Sequence, residues 1–207
     1  MKRLALDDKA LGLDENSIGN SVKKWVDDLV VGLNLCPFAK RELLADRVRF
    51  FVSEAESEEQ LLMDLHSELN MLNADDGIET TLLIHPAVLQ NFSDYNQFLD
   101  YAEGLLVELE LEGVYQIASF HPDYQFADTE PDDVENYTNR APYPILHLIR
   151  EQSLERAVAN YPSPEQIPER NIALLRDLGR EKILALLKGC SSDSPSFEGN
   201  AKESESK

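Results

Sequence analysis

The chain has 207 residues, 43% of them hydrophobic, which is enough for one compact domain with a buried core. Its 39 acidic and 19 basic residues give a formal net charge of −20. A field of this sign repels phosphate backbones, so we expect neither nucleic acid nor an anionic membrane surface as a partner. No apolar run approaches the roughly 20 residues that span a bilayer, and the first residues form no secretory signal.

The two cysteines, Cys36 and Cys190, lie far apart and cannot form a disulfide framework. We therefore expect a soluble, cytoplasmic protein in a reducing compartment. Residues 1–15 are charged and carry little periodicity, and residues 190–207 are rich in serine and charged residues. The composition predicts a flexible N-terminus at 1–15, a single domain at 16–189 and a disordered acidic, serine-rich tail at 190–207.

The first element in chain order is an amphipathic helix that begins near Ser17. Apolar residues recur at spacings of three and four along one face of it: Ile18, Val22, Trp25, Val26, Leu29, Val30 and Leu33. Pro37 predicts that this helix ends before it and suits the first position of a second, shorter helix that runs to Leu44. This arrangement places Cys36 at the cap of the second helix.

Strands and helices then alternate. Strands are predicted at 48–52, 81–84, 114–120 and 145–149. The helices between the first three strands are expected to begin at caps Ser57 and Ser93. Later helices are predicted at 154–159, 168–178 and 181–188, with Gly189 as the final stop.

Alternation of this kind is typical of βαβ units with mostly parallel strands. We predict an α/β (α+β) domain around a sheet of about four strands, either doubly wound or ferredoxin-like. The direction of the fourth strand stays open, because a long loop precedes it.

Two predicted strands end in His-Pro, at His85 and His121. If the strands are parallel neighbours, both imidazoles leave the sheet at its carboxyl edge, where open α/β sheets bind ligands, and could share a ligand or a metal. His121 would then be a catalytic acid or base, or a metal ligand. Alternatively, each histidine simply ends its strand and bonds to a loop carbonyl.

A polar stretch at 123–144 is far longer than usual loops. It contains Asn136, Tyr137, Asn139 and Arg140, whose side chains could bind an anionic group and orient it. The structural alternative is an Ω-loop whose polar side chains satisfy its own backbone.

His147 lies in the middle of the fourth strand. It is either a core histidine or a third imidazole in the crevice of His121. In the second case His85, His121 and His147 form a candidate metal site, and a transition metal is the cofactor that they would suit.

Cys36 is the candidate nucleophile, because a helix N-terminus favours the thiolate. Its apolar neighbours equally fit a small buried hydrophobe.

Four blocks of sequence occur in an order that resembles the bacterial "domain of unknown function 1415" family. They are LNLCPFA at 33–39, FHPDYQFA at 120–127, the segment from NYTNR to HLIRE at 136–151, and IPERNI at 167–172. Asp128 and Ala141 stand where the family pattern leads us to expect Gly and Ser. The resemblance implies a family without an assigned activity.

The leading functional hypothesis is a small-molecule enzyme with a pocket lined by His, Asn and Arg for an anionic substrate. Its candidate catalytic residues are His121, Cys36, His147 and Tyr137. Its candidate substrate-binding residues are Asn136, Asn139, Arg140 and Arg150. The alternative is a non-catalytic binding or adaptor protein with an acidic surface. The sequence leaves the reaction, the substrate and the oligomeric state open.

Overall fold

The computed structural model of the protein describes residues 15–191, which form an α+β fold. Its helices are α1 (Glu15–Trp25), α2 (Ala39–Leu44), α3 (Glu58–Ala74), α4 (Phe92–Glu108), α5 (Glu151–Ala159), α6 (Ile167–Leu178) and α7 (Arg180–Ser191). Its strands are β1 (Val48–Val52), β2 (Thr80–Ile84), β3 (Tyr115–Phe120) and β4 (Ile145–Arg150). A π-helical turn (Val26–Val31) extends α1, and short 3₁₀ turns occupy Val134–Thr138 and Pro164–Gln166.

The four strands form one mixed sheet in the order β1-β2-β4-β3. β1 and β2 are parallel neighbours, as the βαβ pattern predicts, whereas β4 is antiparallel to both β2 and β3. β2 and β3 therefore point the same way but are separated by β4. The strands that end at His85 and His121 are thus not neighbours, because β4, which follows the long loop, lies between them.

The side chains of β4 alternate between the two faces of the sheet, as the period of two in a strand requires. Leu146 and Leu148 pack with α3 and α4 in one core cluster, and Ile145 packs with α1 in a second cluster on the opposite face. A third, smaller cluster joins Tyr137 of the long loop to α6 and α7. Each face of the sheet is thus covered by helices.

The predicted helix caps are confirmed at one position and displaced at another. Ser57 caps α3 by accepting a hydrogen bond from the N–H of Gln60, as expected. α4 is capped by Asn91 rather than Ser93, because the Asn91 carboxamide accepts from the N–H groups of both Ser93 and Asp94. Asparagine and serine are equally good N-cap residues. Because α4 begins at Phe92, Asn91 occupies the N-cap position and Ser93 lies within the first turn.

The last helix runs beyond its predicted end. Gly189 does not stop α7, which continues to Ser191, and Cys190 is a core residue rather than the first residue of a tail. The predicted flexible segments at 1–14 and 192–207 lie outside the described residues. Within residues 15–191 no helix combines the length and the apolar character that a bilayer-spanning segment requires.

Tyr95 of α4 links the helix to the edge of the sheet. Its buried hydroxyl donates a hydrogen bond to the carbonyl oxygen of Ile145 at 2.8 Å and accepts one from the N–H of Phe120 at 3.1 Å. These two residues pair across β3 and β4 at the point where β3 ends and β4 begins. One hydroxyl thus satisfies backbone groups of both strands.

The substitution Tyr95→Phe should lower the free energy of unfolding by about 1–3 kcal/mol, because it leaves buried backbone groups without their partner. Tyr101→Phe is the matched control on the same helix, since the Tyr101 side chain is 62% exposed. Urea denaturation measures both variants. Equal midpoints for the two would show that the hydroxyl bridge contributes nothing to stability.

Candidate functional site

A cavity of about 300 Å³ lies between the sheet and the layer formed by α1, α2 and α5, and we call it the sheet cavity. The strands supply its floor, with the side chains of Leu82, Ala118, Phe120, His147 and Ile149. Its walls include Trp25, Val30, Cys36, Phe38, Leu43 and Leu154. The lining is almost entirely apolar, with His147 and Cys36 among its few polar groups, and cavities of this kind accept small molecules.

His147 presents one imidazole nitrogen to a partner on the next strand. Its Nε2 lies 2.8 Å from the hydroxyl oxygen of Thr80, and that hydroxyl donates to the carbonyl oxygen of Leu148 at 2.5 Å. Burial lowers the pKa of His147 to about 4, so the ring is neutral at neutral pH.

Cys36 lies in the segment that joins the π-helical turn to α2, not at a helix cap. α2 begins only at Ala39, and Phe38 occupies its N-cap position. The predicted position of Cys36 at the cap of this helix is therefore wrong, and a reactive thiol stays a prediction. Cys36 nevertheless lines the sheet cavity and is partly exposed, so its thiol can meet a bound molecule.

Two side chains of α6 hold the segment before Cys36. Arg170 donates to the carbonyl of Asn34 at 2.9 Å, and the buried Asn171 donates to the carbonyl of Leu35 at 2.7 Å. Sequence reasoning gave these residues no role, although they belong to the IPERNI block. They position the wall of the sheet cavity that contains Cys36.

A charged cleft adjoins the sheet cavity, and we call it the rim cleft. It shares Phe38, Glu42, Glu79, Ser153 and Ala157 with the sheet cavity and adds Arg41, Arg47, Arg156 and Tyr161. Arg47 pairs with both Glu42 and Glu79. The Nε of Arg47 and the Oε1 of Glu79 are nevertheless buried without a hydrogen-bond partner. Such atoms favour a solvent molecule or a polar ligand group beside them.

His85 and His121 lie together on the other face of the sheet. Their rings flank Tyr95, with centroids 5.7 Å and 5.1 Å from the Tyr95 ring. Both side chains bond to the loop before α4, His85 Nδ1 to the carbonyl of Val88 and His121 Nε2 to that of Leu89. These contacts match the alternative in which each histidine bonds to a loop carbonyl, and catalysis by His121 stays a prediction.

The three candidate metal ligands do not come together. His147 faces the sheet cavity, whereas His85 and His121 pack against α4 on the opposite face. Among residues 15–191, no three His, Cys, Asp or Glu side chains form a metal-binding group. Leu82 and Ala118 pair with His147, and His85 and His121 each lie three positions further along the chain. Because strand side chains alternate, an odd offset places these two histidines on the face opposite to His147.

The polar side chains of the long loop bind backbone groups of the loop itself and of the end of β3. The carboxamide of the buried Asn136 accepts a hydrogen bond from the N–H of Phe126 at 2.9 Å and donates one to the carbonyl of Glu130 at 2.8 Å. Asn139 donates to the carbonyl of Ser119. These contacts correspond to the Ω-loop alternative.

Tyr137 and Arg140 are likewise engaged. The guanidinium of Arg140 donates to the carbonyls of Tyr124 and Pro131 and stacks 4.3 Å from the centre of the Tyr137 ring. Tyr137 is buried, and its hydroxyl accepts from Arg180. Neither Arg140 nor His121 lines the sheet cavity or the rim cleft, and their roles in substrate binding and catalysis stay predictions.

Arg150, the last candidate substrate ligand, closes the C-terminus of α3. Its guanidinium donates to the carbonyls of Leu72, Asp75 and Ile78 and to the hydroxyl of Tyr115. A cation in this position satisfies carbonyls that a helix end leaves without partners. The observed contacts of Arg150 are therefore structural.

A scan against protein-family models matches residues 17–185 to "Protein of unknown function (DUF1415)". The chain belongs to this family. No curated protein and no solved structure matches it. Membership confirms the resemblance of the four sequence blocks and assigns no activity, so any function for this DUF1415 member must come from its geometry.

Asp128 and Ala141, where the resemblance leads us to expect Gly and Ser, both lie in restricted positions. Asp128 has φ +64°, in the left-handed region that glycine enters without steric cost. Ala141 is buried among apolar residues on the cavity side of the sheet, where a serine hydroxyl would need a partner.

The neutral histidines make stability depend on pH. Burial lowers the pKa of both His85 and His147 to about 4, well below the value of about 6.5 for an unfolded chain. Below about pH 6.5 the unfolded state therefore binds protons that the folded state does not. The free energy of unfolding should fall as the pH decreases, by up to about 1.4 kcal/mol per pH unit for each of these histidines once the pH is well below 6.5.

His147→Gln should remove the His147 share of this slope and leave the shares of His85 and His121, whose pKa values burial also lowers. Urea denaturation between about pH 7 and pH 5 measures how the free energy of unfolding depends on pH. This window lies above the isoelectric point near 4.4. An unchanged slope in the variant would contradict a neutral His147 in the folded protein.

Proposed function

We propose that the protein binds a small molecule whose apolar body fills the sheet cavity and whose anionic group lies in the rim cleft. The observation that carries this proposal is the apolar cavity of about 300 Å³, into which His147 and Cys36 face. This volume is at the lower end of the range for small-molecule sites. The apolar contacts would supply most of the binding free energy.

The charge of the rim cleft supports an anionic group on the ligand. The cleft is lined by three arginines and two glutamates, in a chain whose formal net charge is −20. Arg41 and Arg156 are exposed at this position and can reach a carboxylate. Because they are exposed, we expect them to add only about 1 kcal/mol to binding.

The chemistry of the site follows from the two candidate catalytic residues that line it, His147 and Cys36. A neutral imidazole with a pKa of about 4 is a weak base at neutral pH, so His147 is better suited to binding a substrate than to removing its proton. The thiol of Cys36 is then the nucleophile that an enzyme built on this cavity would use. The alternative of an adaptor protein predicts that neither residue matters for function.

Decanoate, with an apolar chain and a carboxylate, is a suitable probe. Trp25 lines the cavity and is the single tryptophan of the sequence, so its emission reports occupancy directly. Bound decanoate should shift the Trp25 emission and slow the alkylation of Cys36 by iodoacetamide, followed by peptide mass spectrometry. The variant Ala157→Phe, which fills the junction of cavity and cleft, should weaken decanoate binding about tenfold or more.

Ala159→Phe is the matched control, because Ala159 is exposed on the same helix and does not line the cavity. It should bind decanoate like the wild type, and denaturation curves should show that both variants fold. Unchanged Trp25 emission and Cys36 alkylation at saturating decanoate would contradict binding in the sheet cavity.

A further inference from the structure

The hydrogen bonds around Thr80 determine which nitrogen of His147 carries the proton. The carbonyl of Leu148 can only accept, so the Thr80 hydroxyl must use its hydrogen for that contact at 2.5 Å. The remaining contact, at 2.8 Å, then requires Nε2–H of His147 to donate to the Thr80 oxygen. The hydrogen-bond network therefore assigns the Nε2–H tautomer and leaves Nδ1 as a bare lone pair.

No group within residues 15–191 hydrogen-bonds to this Nδ1. The ring contacts of His147 are apolar, with the Phe120 ring 6.1 Å away between centroids, and the imidazole lines the sheet cavity. The other polar atom of the pair, the Thr80 hydroxyl, already uses its hydrogen on Leu148. His147 thus offers the cavity an acceptor and no donor.

We infer that the sheet cavity selects ligands that carry a neutral hydrogen-bond donor, a hydroxyl or an N–H, placed to bond to Nδ1 of His147. This inference rests on the proposed function and adds the chemistry of the buried end of the ligand. The predicted ligand class is a hydroxylated or N–H-bearing apolar compound.

The same geometry rejects other groups at this end of the ligand. A ketone or ether oxygen would place its lone pairs against the Nδ1 lone pair, and neither atom would find a donor. A carboxylate would meet the same repulsion and lose its hydration as well. An anionic group is therefore directed to the arginines of the rim cleft, while the donor points inward.

Menthol and menthone test this inference because they share one carbon skeleton and differ in a hydroxyl or a ketone. The full-length protein should bind menthol about tenfold more tightly than menthone, as read from Trp25 emission, since one hydrogen bond to a buried acceptor corresponds to about that factor. Ring-nitrogen NMR shifts of His147 should show a bare Nδ1 and a protonated Nε2.

Thr80 is a positioning residue, because its hydroxyl oxygen holds the proton on Nε2 of His147. Its substitution tests whether the tautomer of His147 determines the preference for menthol. Thr80→Val removes the oxygen that holds the proton on Nε2, so the ring can place a proton on Nδ1. The menthol preference should then shrink to less than about threefold, and the NMR shifts of the ring should show the exchange. Thr80→Ser keeps the hydroxyl and should restore both the preference and the tautomer.

The possible outcomes separate the two proposals. Equal binding of menthol and menthone to the wild type would overturn the donor selectivity and leave the cavity as a binding site. Binding of neither compound, together with no effect of decanoate on Trp25, would contradict the proposed function itself. A protonated Nδ1 in the wild-type NMR spectrum would overturn the inference whatever the affinities.

Discussion

The fold and the candidate site depend on the antiparallel insertion of β4 between β2 and β3. This one strand pairs with both β2 and β3 and contributes side chains to both layers. Leu146 and Leu148 enter the core under α3 and α4, and His147 and Ile149 form the floor of the sheet cavity. Because strand side chains alternate, a shift of the register by one residue would exchange the two sets. The Tyr95 hydroxyl bonds to backbone at the first pair of β4 with β3, which supports this register.

The same alternation separates histidines that resemble one another in the sequence. His85 and His121 leave the sheet toward α4, and both bond to loop carbonyls. His147 points to the other face, where its partner is a hydroxyl and its second nitrogen meets an apolar cavity. Imidazoles of one chemical type therefore bond to a loop on one side of the sheet and line the sheet cavity on the other.

Local patterns predicted much of the fold, because they depend on neighbours in sequence. The stripe of α1, the four strands and the Ser57 cap all follow from spacing and residue type. The strand order does not, since pairing of β4 with β2 joins residues such as Ile149 and Thr80 that are distant in the chain. The cavity could not be predicted either, because Trp25, Ala118 and Phe120 give the same apolar pattern whether the space between them is filled or open. The loop residues Asn136 and Arg140 look like ligand-binding groups in sequence, and only the fold shows that they bind backbone carbonyls.

The central claim is that an accessible apolar cavity lies on the α1 side of the sheet. A crystal structure of the protein under xenon pressure tests it most directly, because xenon enters dry apolar cavities without needing a specific chemical partner. We predict xenon density between Trp25, Leu82 and Ala118, above the floor that β4 completes. Side chains filling that space, with xenon bound only elsewhere, would contradict the claim.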